Sequence, residues 1–192
     1  IMYQIVLFIF LITLSFLILV EFFNLQKKIF YKNNIAIVIS FLILITYLSF
    51  FFAQLYFFIT FDLRNKLLFM YLLSICIATD LGGYVCGKLF QGKKLTKISP
   101  NKTYSGLIGS YLFSLIVSII FYIYLNYSFN FMILTFFVST ISQLGDLFIS
   151  LLKRRAKVKD TGKILPGHGG ILDRIDGIIF ALPIGINLLL FF

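Results

Sequence analysis

Residues 103–145, TYSGLIGSYLFSLIVSIIFYIYLNYSFNFMILTFFVSTISQLG, contain no charged side chain. A helix crosses the hydrocarbon core of a bilayer in about 20 apolar residues. The run is therefore too long for one crossing, and Asn126, Tyr127, Ser128 and Asn130 break it into two helices joined by a tight turn. Residues 1–20 and 35–61 are also charge-free. The whole chain has 192 residues, of which 60% are hydrophobic and 12% charged, with a mean hydropathy of +1.02. Ordinary soluble domains carry about 25% charged residues, so a soluble globular protein is excluded. Barrel strands alternate apolar and polar positions in segments of about ten, which these continuous runs do not do.

The expectation is an all-α polytopic membrane bundle of about six helices, at 2–23, 35–60, 67–86, 104–125, 131–152 and 171–192. It forms a single transmembrane domain over 1–192, with N-terminal helices in 1–66 and a catalytic half in 67–192. The first run lacks a basic leader and a small-residue cleavage site, which argues against a removable signal peptide. Cys76 and Cys86 form no CxxC pattern and suggest neither a disulfide framework nor a zinc site.

The cations fall in alternate connections. Segment 24–34 holds Lys27, Lys28 and Lys32; loop 87–103 holds Lys88, Lys93, Lys94, Lys97 and Lys102; loop 153–170 holds Lys153, Arg154, Arg155, Lys157, Lys159 and Lys163. Short cytoplasmic loops retain Lys and Arg, so these three connections are expected in the cytosol and both termini on the other side. Orientation alone needs fewer cations than the last two loops carry, and the excess favours an anionic ligand such as a polyphosphate or a lipid phosphate. Nothing resembles a nucleic-acid recognition fold.

The acids are more informative, because a carboxylate within the hydrocarbon is costly and usually marks a site or a paired charge. Glu21 and Asp62 lie at span ends, where contact with water would be enough to account for them. Asp80 falls in the inner half of the third span, and Asp146 precedes Leu152 by six residues, roughly 9 Å at 1.5 Å per residue. Asp173 and Asp176 open the sixth span with i, i+3 spacing, on one helix face. Four acids from three helices thus share the cytoplasmic-leaflet level. Packed carboxylates repel unless a proton or cation joins them. Mg²⁺ suits such a set, since it commonly joins one or two carboxylates to phosphates. The plainer alternative is that Asp173 and Asp176 cap a helix start while Asp146 pairs with Arg174.

Pro166, Gly167, Gly169 and Gly170 around the lone histidine, His168, force a turn into the last segment. Backbone amides there, with Arg174 beside them, make a candidate phosphate cradle. Gly87, Gly92 and Lys93 imitate a P-loop, but Lys94 stands where Ser or Thr should bind Mg²⁺, and no strand precedes it.

Residues 150–176, SLLKRRAKVKDTGKILPGHGGILDRID, resemble the signature of the phosphatidate cytidylyltransferases, or CDP-diacylglycerol synthases. That pattern is S-x-x-K-R-x-x-x-x-K-D-x-G-x-x-x-P-G-H-G-G-x-x-D-R-x-D, and each fixed position is met. Upstream, DLGGY from Asp80, ISPNKTYSG ending at Gly106 and QLGD ending at Asp146 resemble further family segments. Asn101 and Gly83 depart from the usual Lys and Ala, and the family's additional hydrophobic sequence ahead of Glu21 leads us to expect a chain short at its start.

The resemblance implies the reaction CTP + phosphatidate → CDP-diacylglycerol + pyrophosphate, in phospholipid biosynthesis, with Mg²⁺ near Asp146, Asp173 and Asp176. Lys153 and Arg174 join those three aspartates as expected catalytic residues. Expected substrate contacts are Asp80, Ser99, Pro100, Lys102, Thr103, Arg154, Lys159, Asp160, His168, Gly169 and Gly170. The implied partners are CTP, phosphatidate and the bilayer, with a homodimer left open. The implied location is a bacterial cytoplasmic membrane, with the site facing the cytosol. A CTP-dependent enzyme acting on another lipid phosphate or a polyprenol, and an ion or solute transporter, are the alternatives.

Overall fold

A computed structural model describes residues 2–96, 98–125, 128–164, 167 and 169–191. The sequence-predicted turn at Asn126 and Tyr127, the loop cation Lys97, and Pro166 and His168 of the Gly-rich connection lie outside the described residues. The helices are α1 (Met2–Ile29), α2 (Asn34–Phe61), α3 (Leu63–Phe90), α4 (Tyr104–Leu125), α5 (Asn130–Arg155), α6 (Leu172–Ile175) and α7 (Ile178–Leu188), followed by a 3-10 turn at Leu189–Phe191. The first five are long and apolar enough to cross a membrane. In lipid every backbone N–H and C=O must be satisfied within the chain, which a helix achieves locally.

The sixth expected span differs from the sequence reading. Instead of one helix over 171–192 there are α6, a turn and the eleven-residue α7, which rises about 16 Å against a hydrocarbon core of about 30 Å. At the division the Asp176 carboxylate accepts the N–H of Gly177 at 2.8 Å. Pro183 inside α7 removes a further donor.

The chain divides into two compact units. The first comprises 1–65 and 149–175. In it α1 packs along α2, with Phe8 against Tyr56 and Phe23 against Phe41 at ring-centroid separations of 5.6 and 5.0 Å. Asn33 caps α2 by accepting the N–H of Ala36 at 3.1 Å. Phe10, Phe16, Ile43 and Phe57 are exposed while Glu21 and Gln26 are buried. That inversion suits a lipid solvent, in which apolar side chains gain nothing by leaving the surface.

The second unit comprises 66–148 and 176–192. A polar seam joins α3, α4 and α5. The wholly buried Tyr71 hydroxyl lies 3.1 Å from Ser118 Oγ and 2.6 Å from Thr135 Oγ1, and donates to the carbonyl of Phe131 at 2.8 Å. Further along, Thr79 donates to Ser139 at 3.0 Å, and Ser110 donates to the carbonyl of Thr79 at 2.8 Å. Such bonds fasten helices where lipid tails offer no hydrophobic drive. α3 and α4 come so close that a Cβ on Gly109 would lie 2.6 Å from the carbonyl oxygen of Gly82. Phe148 of α5 meets Phe180 of α7 edge-on at 5.6 Å.

Candidate active site

In the second unit the loop 91–103 folds back on itself through a bridge between Lys94 and Thr103. Leu95 donates its N–H to the carbonyl of Lys102 at 2.8 Å, and Tyr104 to that of Lys93 at 3.1 Å. Ser99 and Pro100 form its tip, closed by the Lys102 N–H on the carbonyl of Ser99 at 3.1 Å. Thr103 accepts the N–H of Gly106 at 3.1 Å and so starts α4. Ser99, Pro100 and Thr103 thus build the loop, and Lys102 is the residue it delivers. The Lys102 ammonium lies 2.5 Å from Asp146 Oδ2.

Asp146, near the end of α5, is hydrogen-bonded side chain to side chain with Asp176, and both feel the charge of Asp80 on α3. Two carboxyl groups in contact require a proton or a cation between them. Lys102 neutralises one charge of this group of three acids. The remaining anionic oxygens suit a hard divalent cation held by one or two carboxylates, with phosphate and water completing the shell. Among the described residues no three His, Cys, Asp or Glu side chains are grouped so as to hold a metal ion by themselves.

The first unit carries residues 150–175 of the signature. Lys153, in the last turn of α5, places its ammonium 2.7 Å from Asp173 Oδ1. Asp173 Oδ2 accepts the N–H of Thr161 at 2.8 Å and that of Gly170 at 3.0 Å, with the Thr161 hydroxyl also at 3.0 Å. Burial pushes this carboxyl up, but donation from Lys153, Thr161 and Gly170 outweighs it and holds Asp173 below the ordinary carboxylate range. The forced turn read from the sequence is present where described: Gly167 and Gly169 adopt φ of +74° and +84°. Lys159, Asp160, Arg154 and Arg174 are exposed around it, and Asp160 lies beside Gly169.

Asp146 and Asp176 pair in one unit, and Asp173 has its own donors in the other. Oδ2 of Asp173 is fully engaged, which makes this residue first a holder of Lys153 and of the loop. Glu21 corrects the sequence reading. It is 2% exposed rather than wet, and it accepts hydrogen bonds from Ile171, Leu172 and Thr161. The available signal was a carboxylate following twenty uncharged residues. Thr161, unassigned from the sequence, is the residue that contacts both Glu21 and Asp173.

A model of the cytidylyltransferase family matches residues 1–192. Among curated relatives, the phosphatidate cytidylyltransferase of Staphylococcus haemolyticus is 46% identical over 125 residues, covering 63% of this chain and 48% of that protein. The enzyme of the same name from Staphylococcus saprophyticus is 47% identical over 116 residues, 58% of this chain and 44% of the relative. That of Rickettsia typhi is 44% identical over 138 residues, 66% and 60% respectively. The chain spans about half the length of the staphylococcal relatives it matches.

Proposed function

The chain belongs to the cytidylyltransferase family, and from that premise we propose that it transfers the cytidylyl group of CTP to phosphatidate, releasing pyrophosphate. The observation that carries this is that two of the aspartates each hold a lysine ammonium: Asp146 holds Lys102, and Asp173 holds Lys153. A phosphate oxygen of phosphatidate attacks the α-phosphorus of CTP. The new P–O bond forms as the bond to the β-phosphate oxygen breaks. The nucleophile is already an anion, so neither a Ser-His nor a Cys-His device is required.

The obstacle is bringing two anions together, and catalysis is then positioning and charge neutralisation. Lys102 and Lys153, each held by an aspartate, supply ammonium groups at fixed positions. Arg154, Lys159 and Arg174 add cationic charge to draw in the triphosphate and the lipid headgroup. Asp146 and Asp176 would hold Mg²⁺, which when bound neutralises phosphate charge as a Lewis acid. The protein is integral to the membrane by its five long apolar helices. The cation-rich loops favour a cytosolic site at the inner leaflet of a bacterial cytoplasmic membrane, where CTP arrives from water and the acyl chains stay in lipid.

The test supplies purified protein with labelled CTP and a series of lipid phosphates. The expected result is labelled CDP-diacylglycerol from phosphatidate, abolished by a chelator and restored by Mg²⁺. Preference for a polyprenyl phosphate would reassign the acceptor. Intact CTP with every acceptor would overturn the reading and revive a transport role.

A further inference from the structure

Glu21 is a carboxylate on α1, distant in sequence from the signature, yet the signature loop is built around it. The Ile171 N–H donates to its Oε1 at 2.9 Å, the Leu172 N–H to its Oε2 at 2.9 Å, and the Thr161 hydroxyl to Oε2 at 3.0 Å. The same hydroxyl lies 3.0 Å from Asp173 Oδ2. A hydroxyl has one proton to donate, so Thr161 sits between two carboxylates and serves one at a time.

The loop glycines fit the same centre. A Cβ on Gly162 would lie 2.5 Å from Glu21 Oε1, and one on Gly170 would collide with both Thr161 Oγ1 and Glu21 Oε2. Both glycines belong to the 150–176 signature, whereas the group that excludes a side chain from them lies 140 residues upstream of Thr161. A charge within a membrane-crossing helix persists only when satisfied. Here its donors come from the residues that flank Asp173.

We propose that Glu21 is a positioning residue: it fixes the 161–172 loop so that the Thr161 and Gly170 amides hold Asp173, and Asp173 holds the Lys153 ammonium. The catalytic consequence rests on the cytidylyl-transfer reading; the positioning rests on the geometry alone.

The experiment uses the full chain in detergent micelles, with kcat, KM and residue-resolved amide exchange measured for wild type, Glu21→Gln, Thr161→Val and the double variant. Gln keeps the volume but turns an NH₂ toward one of the two amide donors, so one bond opens. Glu21→Gln is expected to lower kcat at least about tenfold, with KM for CTP changed less than about threefold. It should speed amide exchange at Ile171 and Leu172, and also at Thr161 and Gly170, by about tenfold. Because both substitutions break one chain of contacts, the double variant should be no slower than Glu21→Gln alone. Faster exchange confined to Ile171 and Leu172, or kinetic losses that multiply in the double variant, would overturn the proposal. If Glu21→Gln does not fold, Thr161→Val decides: a lower kcat with faster exchange at Gly170 supports it, and wild-type values for both refute it. A wild type that makes no CDP-lipid defeats the function reading, while amide exchange still decides the positioning.

Discussion

Asp173→Asn removes one charge and changes one atom, and its cost can be worked out from the contacts of this side chain. Two amides donate to Oδ2, which also lies 3.0 Å from the Thr161 hydroxyl shared with Glu21, and one ammonium donates to Oδ1. The asparagine oxygen must face the two amides, so its NH₂ faces Lys153, donor against donor. The two side chains are only 16% and 9% exposed. Removing one partner of a buried pair costs roughly 3–5 kcal/mol, and partial access of water to Lys153 reduces that to about 2–4 kcal/mol. Lys153→Met is milder, about 1–2 kcal/mol, because Asp173 retains its donors on Oδ2. Combining them removes the donor conflict, so the double variant should be more stable than additivity predicts by about 1.5–3 kcal/mol. Unfolding by SDS titration in mixed micelles, followed by fluorescence of the eleven tyrosines in a chain without Trp, gives the four free energies. Each single variant should also lower turnover by about 100-fold, since a misplaced cation loses its phosphate. Additivity of the two substitutions within about 0.5 kcal/mol would refute the reasoning, because the side chains would then not sense each other.

Asp146→Asn and Asp176→Asn should each lower turnover by at least about 100-fold and raise the Mg²⁺ concentration for half-maximal rate; an unchanged metal requirement in both would remove them from the cation site. Tyr71→Phe leaves its partners in the polar seam without the phenol and should cost about 1 kcal/mol, lowering the melting temperature by roughly 2–4 °C with turnover unaffected. The depressed Asp173 carboxyl contributes stability that is fully present above its unfolded pKa of about 3.9 and is lost as pH falls through the lower folded value. Wild-type protein should therefore lose stability on acidification below about pH 4, and Asp173→Asn should flatten that part of the profile; parallel profiles for the two proteins would contradict the sign.

The membrane class and the five long helices were legible in the sequence because lipid allows few solutions: a charge-free run of some twenty residues must be helical there. The 150–176 signature was legible for a related reason, since charged residues stand out against an apolar background. Which carboxylate pairs with which cation was not legible. Lys102 reaches Asp146 across 44 positions because the 91–103 loop folds back on itself, and hydropathy carries no trace of that fold. The division of the last span at Asp176 and Gly177 was not legible either, since hydropathy runs on through it. Glu21 shows the same limit most sharply. Its letter marks only a charge at the end of an apolar run, and its role depends on which amides a loop 140 residues later turns toward it. Composition and periodicity report the solvent around each segment; the partners of a buried charge are set by the folded chain.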